Sequence, residues 1–203
     1  MVDRAHTEVD DDALMSRVSV GDADAFASLV RRHEGRLRAF LARSLPQDVD
    51  GVAEARDLAQ EVFVELWQRR TRYEARGLFV AYLLRLARSK ATSRGRALAV
   101  RRAFSLRSST SASFPPAAPA DALAALLSAE EAAAVRARFQ ALPRASREAI
   151  TLRCLYDLEP TEIAKVTGKS PEAVRVALHR GVHLLRASEP LALAALRPAG
   201  GVP

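Results

Sequence analysis

The chain has 203 residues, 49% hydrophobic but only 5% aromatic, and 31 Lys and Arg against 24 Asp and Glu give it a net charge of +7. Its apolar mass is mostly Ala, Leu and Val, which favours helices over sheets, and its one cysteine, Cys154, excludes an internal disulfide. No apolar run approaches the roughly 20 residues that span a bilayer, so membrane insertion is not expected.

Elements follow in chain order. Residues 1–12 carry Asp3, Glu8, Asp10, Asp11 and Asp12. They lack the apolar stretch of a signal peptide and read as an acidic, disordered start to a cytoplasmic protein. From residue 24 to 45, Phe26, Leu29, Val30, Leu37, Phe40 and Leu41 recur at helical spacing. Turn formers break the pattern over residues 46–51. A second helix is expected over residues 53–70 and a third over 78–96. Composition then shifts to Ser, Ala and Pro across residues 105–120, with Pro115, Pro116 and Pro119, the signature of a flexible linker. Helical pattern resumes near residue 121 and runs through 129–140. Leu142-Pro143 stops that helix, and Ser146 can cap the next one, over residues 147–156. After residue 188 the chain carries Pro190, Pro198, Gly200, Gly201 and Pro203, a loose tail.

Residues 161–180 are the most informative stretch. Ile163, Ala164 and Val166 give a short helix an apolar face. Gly168 can adopt the positive φ of a sharp break. Ser170 then Pro171 is a helix start: a hydroxyl to cap free N–H groups, followed by a residue with pre-set φ. Val174, Leu178, Val182 and Leu185 line one side of the second helix, and Lys169, Arg175, His179, Arg180 and Arg186 decorate the rest. This is a helix-turn-helix with a basic second helix, which suits the major groove of DNA. The fold is therefore all-α: two small helical domains (residues 13–104 and 121–188) joined by a linker (105–120), with a tail over 189–203.

Residues 57–67 carry two faces. Leu58, Ala59, Val62, Phe63, Leu66 and Trp67 fall on one side and bury against neighbouring helices. Asp57, Gln60, Glu61, Val64 and Gln68 form the opposite stripe, either a solvated face or a docking surface for a basic partner helix. Between Arg85 and Arg107 stand Arg85, Arg88, Lys90, Arg94, Arg96, Arg101, Arg102 and Arg107, with no acidic residue. Such a run is a solvated basic face or a phosphate contact, and the latter supplies affinity but little sequence information.

Residues 57–67 resemble the polymerase-docking helix of bacterial sigma factors. Gly21-Asp22-Ala23-Asp24-Ala25-Phe26 is similar to the opening of the same domain in the compact extracytoplasmic-function group. Leu142-Pro143, Arg147-Glu148, Glu162-Ile163-Ala164, Val174 and Leu178-His179-Arg180 resemble that group's promoter-binding C-terminal domain. The likeness covers nearly all of residues 20–188 in order.

It implies core RNA polymerase, promoter DNA and an anti-sigma factor as partners, and a role as a specificity subunit rather than an enzyme. Asp57, Gln60 and Glu61 would accept hydrogen bonds and charge from partner arginines, with Val64 and Gln68 on the same face. Phe79, Tyr82, Arg85, Arg88, Ser89, Lys90, Arg94 and Arg96 would lie on the downstream (−10) element, where a base is captured from the opened strand, with Phe79 and Tyr82 either walls for that base or core residues. Tyr82 and Ser89 depart from the family's usual Trp and Asn. Lys169, Ser170, Glu172, Ala173, Arg175, Val176, His179 and Arg180 would read the upstream (−35) element. There Arg175 is suited to a bidentate contact with guanine, worth about 1–3 kcal/mol in discrimination. Ala177 stands where relatives usually carry a basic residue, so one phosphate contact is expected to be missing.

Other candidates are weaker. Cys154, among Leu152, Leu155 and Leu158, reads as a packing residue. His179 and His183 sit one turn apart, but no further metal ligand is near in sequence. No phosphate-cradling glycine motif or catalytic constellation is present, so no cofactor is expected. The competing reading is a stand-alone helix-turn-helix transcriptional regulator with an N-terminal dimerisation or sensing domain.

Overall fold

A computed structural model of the chain describes residues 10–45, 51–74, 77–105 and 129–187. Those residues are helical apart from short connections. They fall into two compact units, one holding the first four helices and the other the last four, save the final turn of the seventh. The linker 105–120 (except Ser105), the tail after residue 187 and residues 1–9 lie outside the described residues.

The first unit opens with α1 (Asp11–Ser19). Asp11 and Asp12, expected in a disordered start, instead form its first turn, where carboxylates complement the free N–H groups of a helix. Leu14, Met15 and Val18 bury its inner face. The chain turns at Gly21, and Asp22 begins α2 (Ala23–Ser44) by accepting from the N–H groups of Asp24 and Ala25 at 3.0 and 2.9 Å. These bonds, first that of Ala25, and the Arg17 guanidinium hold the Asp22 carboxyl below the usual carboxylate range. The motif Gly-Asp-Ala-Asp-Ala-Phe is thus a turn, a cap and a first helical turn.

Helices α3 (Gly51–Gln68) and α4 (Phe79–Ser105) complete the unit. Leu29, Leu37, Phe40 and Leu41 of α2 share the core with Leu58, Val62 and Leu66 of α3 and with Phe79, Leu83, Leu84 and Ala87 of α4. A single 3-10 turn, Arg70–Arg72, follows α3. Trp67 is half-buried, its ring tilted against Phe26 at 5.1 Å with the Arg70 guanidinium 4.5 Å above it. α4 runs through Gly95 and on to Ser105, beyond the expected end at residue 96. One glycine costs a helix only about 1 kcal/mol relative to alanine, too little to end one that has good formers on both sides.

The second unit contains α5 (Ala129–Ala141), α6 (Arg144–Tyr156), α7 (Pro160–Thr167) and α8 (Pro171–Ala187). α6 starts one turn earlier than expected. Pro143 is its N-cap, and Ser146 lies inside the helix, 1% exposed, so it caps nothing. Arg147 donates to the Gln140 carbonyl at 2.6 Å, tying α5 to α6. Arg153 donates to the Leu158 carbonyl and to the Glu159 carboxylate at 3.1 and 2.7 Å, fixing the corner between α6 and α7. Cys154 is exposed, not packed. It falls off the Ser146, Ala149 and Leu152 stripe that α6 buries.

Candidate polymerase- and DNA-binding faces

The turn of the helix-turn-helix is built as its residues dictate. Gly168 ends α7 at φ 71°, a left-handed conformation that a side chain disfavours. Its N–H reaches the Ala164 carbonyl at 2.9 Å. Ser170 then accepts from the Ala173 N–H at 3.2 Å and opens α8. At the start of α7, Glu162 accepts from the Glu159 N–H at 2.7 Å, with Pro160 in the first turn.

α8 separates its two faces cleanly. Val174, Ala177 and Gly181 are buried. Val182, expected on that side, is 40% exposed. The buried line steps by three and four through Gly181, and Val182 is rotated 100° away from it. A Cβ on Gly181 would stand 2.5 Å from Ile150 Cδ1 and 3.0 Å from Ser146 Cβ, so the bare glycine lets α8 approach α6. Ala177 also lies on this inner face and is no missing phosphate contact.

Lys169, Ser170, Glu172, Ala173, Arg175, Val176, His179 and Arg180 are all exposed. The structure gathers these eight sequence-derived positions around the turn and the outer face of α8. Arg175 pairs with Glu172 at 3.0 Å, both well exposed. A surface pair of this kind contributes at most about 1 kcal/mol, so Arg175 can exchange it for another acceptor. The rings of His179 and His183 stack at 6.5 Å. Among the described residues no group of three or more metal-binding side chains includes them.

In the first unit, Asp57, Gln60, Val64 and Gln68 are exposed along one stripe of α3, and Glu61 sits at its edge. Val64, 55% exposed, stands between the polar groups of this stripe. Glu61 is already engaged. Arg94 donates to it at 2.7 Å and to Glu54 at 2.6 Å, while Lys90 lies 3.5 Å from Glu61 and 3.2 Å from Glu65. The α3–α4 seam is therefore a five-residue ion-pair network bordering a groove that also exposes Ser89.

That network revises the downstream set. Lys90 and Arg94 are turned onto α3, which the like-signed run could not show, because their partners lie 25 to 40 residues earlier. Arg85 and Arg96 are exposed, Arg88 and Tyr82 half-buried. Phe79 is 1% exposed, enclosed by His33 and Tyr73 at ring distances of 5.4 and 6.2 Å. It is a core residue and cannot stack on a base without leaving the core. Tyr82 keeps an open edge and contacts Tyr73 at 5.3 Å.

Sequence reasoning missed the residues that fix the start of α4. Asp12, 8% exposed, accepts from the Tyr73 hydroxyl at 2.5 Å, the Gly77 N–H at 3.1 Å and the Phe79 N–H at 3.2 Å. Beside it Asp11 meets Arg32 at 3.0 Å and the buried His33 at 2.8 Å. The only sequence signal was local: three aspartates followed by Leu14, Met15 and Val18 form a helix start.

The two units match separate families. Residues 29–101 match sigma-70 region 2, and residues 132–185 match sigma-70 region 4. The RNA polymerase sigma factor CarQ of Myxococcus xanthus is 33% identical over 172 residues, 85% of this chain and 93% of the relative. The ECF RNA polymerase sigma factor ShbA of Streptomyces griseus subsp. griseus is 35% identical over 187 residues, 86% of this chain and 93% of the relative. In fold the chain is similar to CnrH in its complex with the cytosolic domain of CnrY, with a TM-score of 0.63 at 24% identity over 88% of this chain and 96% of that one. Two sigma regions in order, with relatives matched over nearly their whole length, establish that the chain belongs to the extracytoplasmic-function group of RNA polymerase sigma factors.

Proposed function

We propose that the first unit docks on core RNA polymerase through the α3 stripe and on the downstream promoter element through α4, while α8 reads the upstream element. The chain is an alternative sigma factor, a binding subunit that directs transcription initiation. Within the first unit, Asp57, Gln60, Val64 and Gln68 form the free docking face. Among the described residues Asp57 makes no ion pair, so its carboxylate is open to a partner arginine. Glu61 joins them by exchanging Arg94 for a partner cation. Arg85, Arg88, Arg96 and Tyr82 serve the downstream element, with Ser89 beside them.

Within the second unit, Arg175 is the base-reading residue, and Lys169 and Arg180 contact phosphate. Ser170 accepts from the Ala173 N–H and so sets the start of α8, while its own hydroxyl proton can still be donated to a phosphate oxygen. The single observation that carries the reading is the coexistence, in matched sigma regions, of an exposed carboxylate–valine stripe and an exposed basic recognition face. The match of residues 29–101 to region 2 replaces the sensing or dimerisation domain of a stand-alone regulator.

The chain is proposed to work in the cytoplasm, where RNA polymerase acts, and to be restrained by an anti-sigma protein that covers these faces. Among the described residues no helix is long and apolar enough to cross a membrane. The test is transcription in vitro with purified core polymerase. The double variant Asp57→Lys, Gln60→Lys leaves the α3–α4 ion pairs intact. It should lose polymerase co-purification and all initiation while keeping its helicity. Unchanged co-purification would remove the docking assignment.

A further inference from the structure

The segment that enters α4 is held from outside its own helix. Helices leave their first N–H groups without partners, and a nearby side chain normally caps them. Here the cap comes from α1. One carboxylate oxygen of Asp12 takes the Phe79 N–H, and the other takes the Gly77 N–H and the Tyr73 hydroxyl. Gly77 stands at φ 67°, so the backbone bends sharply just before the helix. Tyr73, pinned by its hydroxyl, lies against Tyr82, one turn into α4. Burial, and then Asp12, push the Tyr73 hydroxyl far above its ordinary value, so it remains a donor at every working pH. The linkage is therefore Asp12 to Tyr73 to Tyr82, with a parallel arm through the backbone of Gly77 and Phe79. Asp12 itself lies before the residues that match sigma-70 region 2, whereas the groups it holds lie among them.

We propose that Asp12 is a positioning residue for promoter opening, fixing from α1 the direction in which the first turns of α4 present Tyr82 and Arg85 to DNA. The proposal rests on the assignment of α4 to the downstream element. It requires no contact between Asp12 and DNA. Its physical content is that a base leaving the duplex needs a preset receiving surface, and that a surface on a helix start is only as fixed as its cap.

The test uses the full chain with core polymerase, and the variants Asp12→Ala, Asp12→Asn and Tyr73→Phe. Polymerase affinity, thermal melting and strand opening are measured, the last on a duplex promoter and on the same promoter with its downstream element already unpaired. Removing the carboxylate should slow opening of the duplex about ten- to a hundredfold, the range that loss of one hydrogen bond to a charged group supplies. Polymerase affinity should stay the same, and the unpaired template should restore activity. Tyr73→Phe, which keeps the backbone cap, should show a smaller defect of the same kind. Asp12→Asn should fall between wild type and Asp12→Ala.

Variants that open the duplex like wild type overturn the proposal. So does a parallel fall in polymerase affinity, melting temperature and opening without rescue by the unpaired template, which would make Asp12 a fold residue only. A wild-type chain that opens no promoter with core polymerase overturns the functional reading itself, and this inference with it.

Discussion

The two units join their long helices by opposite means. In the first, α3 and α4 meet over Leu58, Val62 and Ala87 and are closed at the solvent edge by Glu54, Glu61, Glu65, Lys90 and Arg94. In the second, α6 and α8 meet where Gly181 offers no side chain at all. A seam closed by charge can be loosened by removing groups, whereas a seam closed by absence can only be broken by adding one. The difference also separates function from packing. On α8 the glycine faces inward and the recognition residues face outward. On α3, Glu61 belongs both to the seam and to the proposed docking face, so a change there moves two properties together.

The largest effect should come from filling the glycine seam. Gly181→Ile places a branched side chain into Ile150 and Ser146, and overpacking of this kind costs about 1–3 kcal/mol. Thermal unfolding of the second unit should move to lower temperature and upstream-element binding should fall with it, while polymerase co-purification is retained. A variant that melts like wild type would show that α6 can give way and that the seam is not close-packed.

How much of this contrast was legible beforehand depends on the range of each interaction. The turn from Gly168 to Pro171 could be read because its cap, its positive φ and its helix start involve neighbours in sequence. The α3 stripe could be read because helical period alone sorts Leu58 and Val62 from Asp57 and Gln60. The Arg94 network could not, because a run of cations does not reveal carboxylates 33 and 40 residues away. Asp12 was hidden for the same reason, with partners 61 to 67 residues distant. Cys154 and Val182 failed differently. Each was placed from apolar character, whereas the helix phase decides which side is covered. Of the two readings open for Phe79 the core one holds. Gly181 was silent, since close approach of two helices leaves no apolar residue to count.

Arg175→Ala should come next in size. The residue is exposed and away from the packed side of α8, so stability should hold while preference for the upstream element weakens. Loss of a bidentate guanine contact corresponds to about 1–3 kcal/mol of discrimination. Selection of preferred sequences with the variant holoenzyme checks this, and an unaltered preference would assign the reading to a neighbour such as Lys169.

Arg94→Gln sharpens the comparison from the other side. Its pairs with Glu54 and Glu61 are partly exposed, and pairs of that kind are worth about 1 kcal/mol or less. The melting temperature of the first unit should fall slightly. If Glu61 is a docking residue, releasing it should leave polymerase affinity equal or higher. A lower affinity at unchanged stability would mean instead that Arg94 itself meets the polymerase. A double-mutant cycle with Glu61→Gln separates the cases, because coupling confined to stability belongs to the seam alone.

The smallest effect concerns acid. Asp11 is half-buried, which by itself raises its pKa, but the bond from His33 and the charges of His33 and Arg32 outweigh burial and hold the carboxyl below its ordinary value. A carboxyl depressed in the folded state stabilises that state above its unfolded pKa, and the contribution disappears as pH falls through the folded value. The window therefore opens below about pH 4, near the unfolded carboxylate value, and neutral pH lies outside it. Asp11 holds α1 to α2, so α1 should loosen from the first unit in that window while the melting of the second unit is unaffected by the substitution. Asp11→Asn should flatten this part of the acid titration, followed by hydrogen exchange of the α1 amides, and should weaken α1 docking modestly at neutral pH. If Asp11→Asn left the acid response of those amides unchanged, the pH sensitivity of α1 would have to arise from another carboxylate. Because Asp12 lies one residue away and holds α4, the same exchange experiment would then show whether loss of α1 also releases the amides of Gly77 and Phe79.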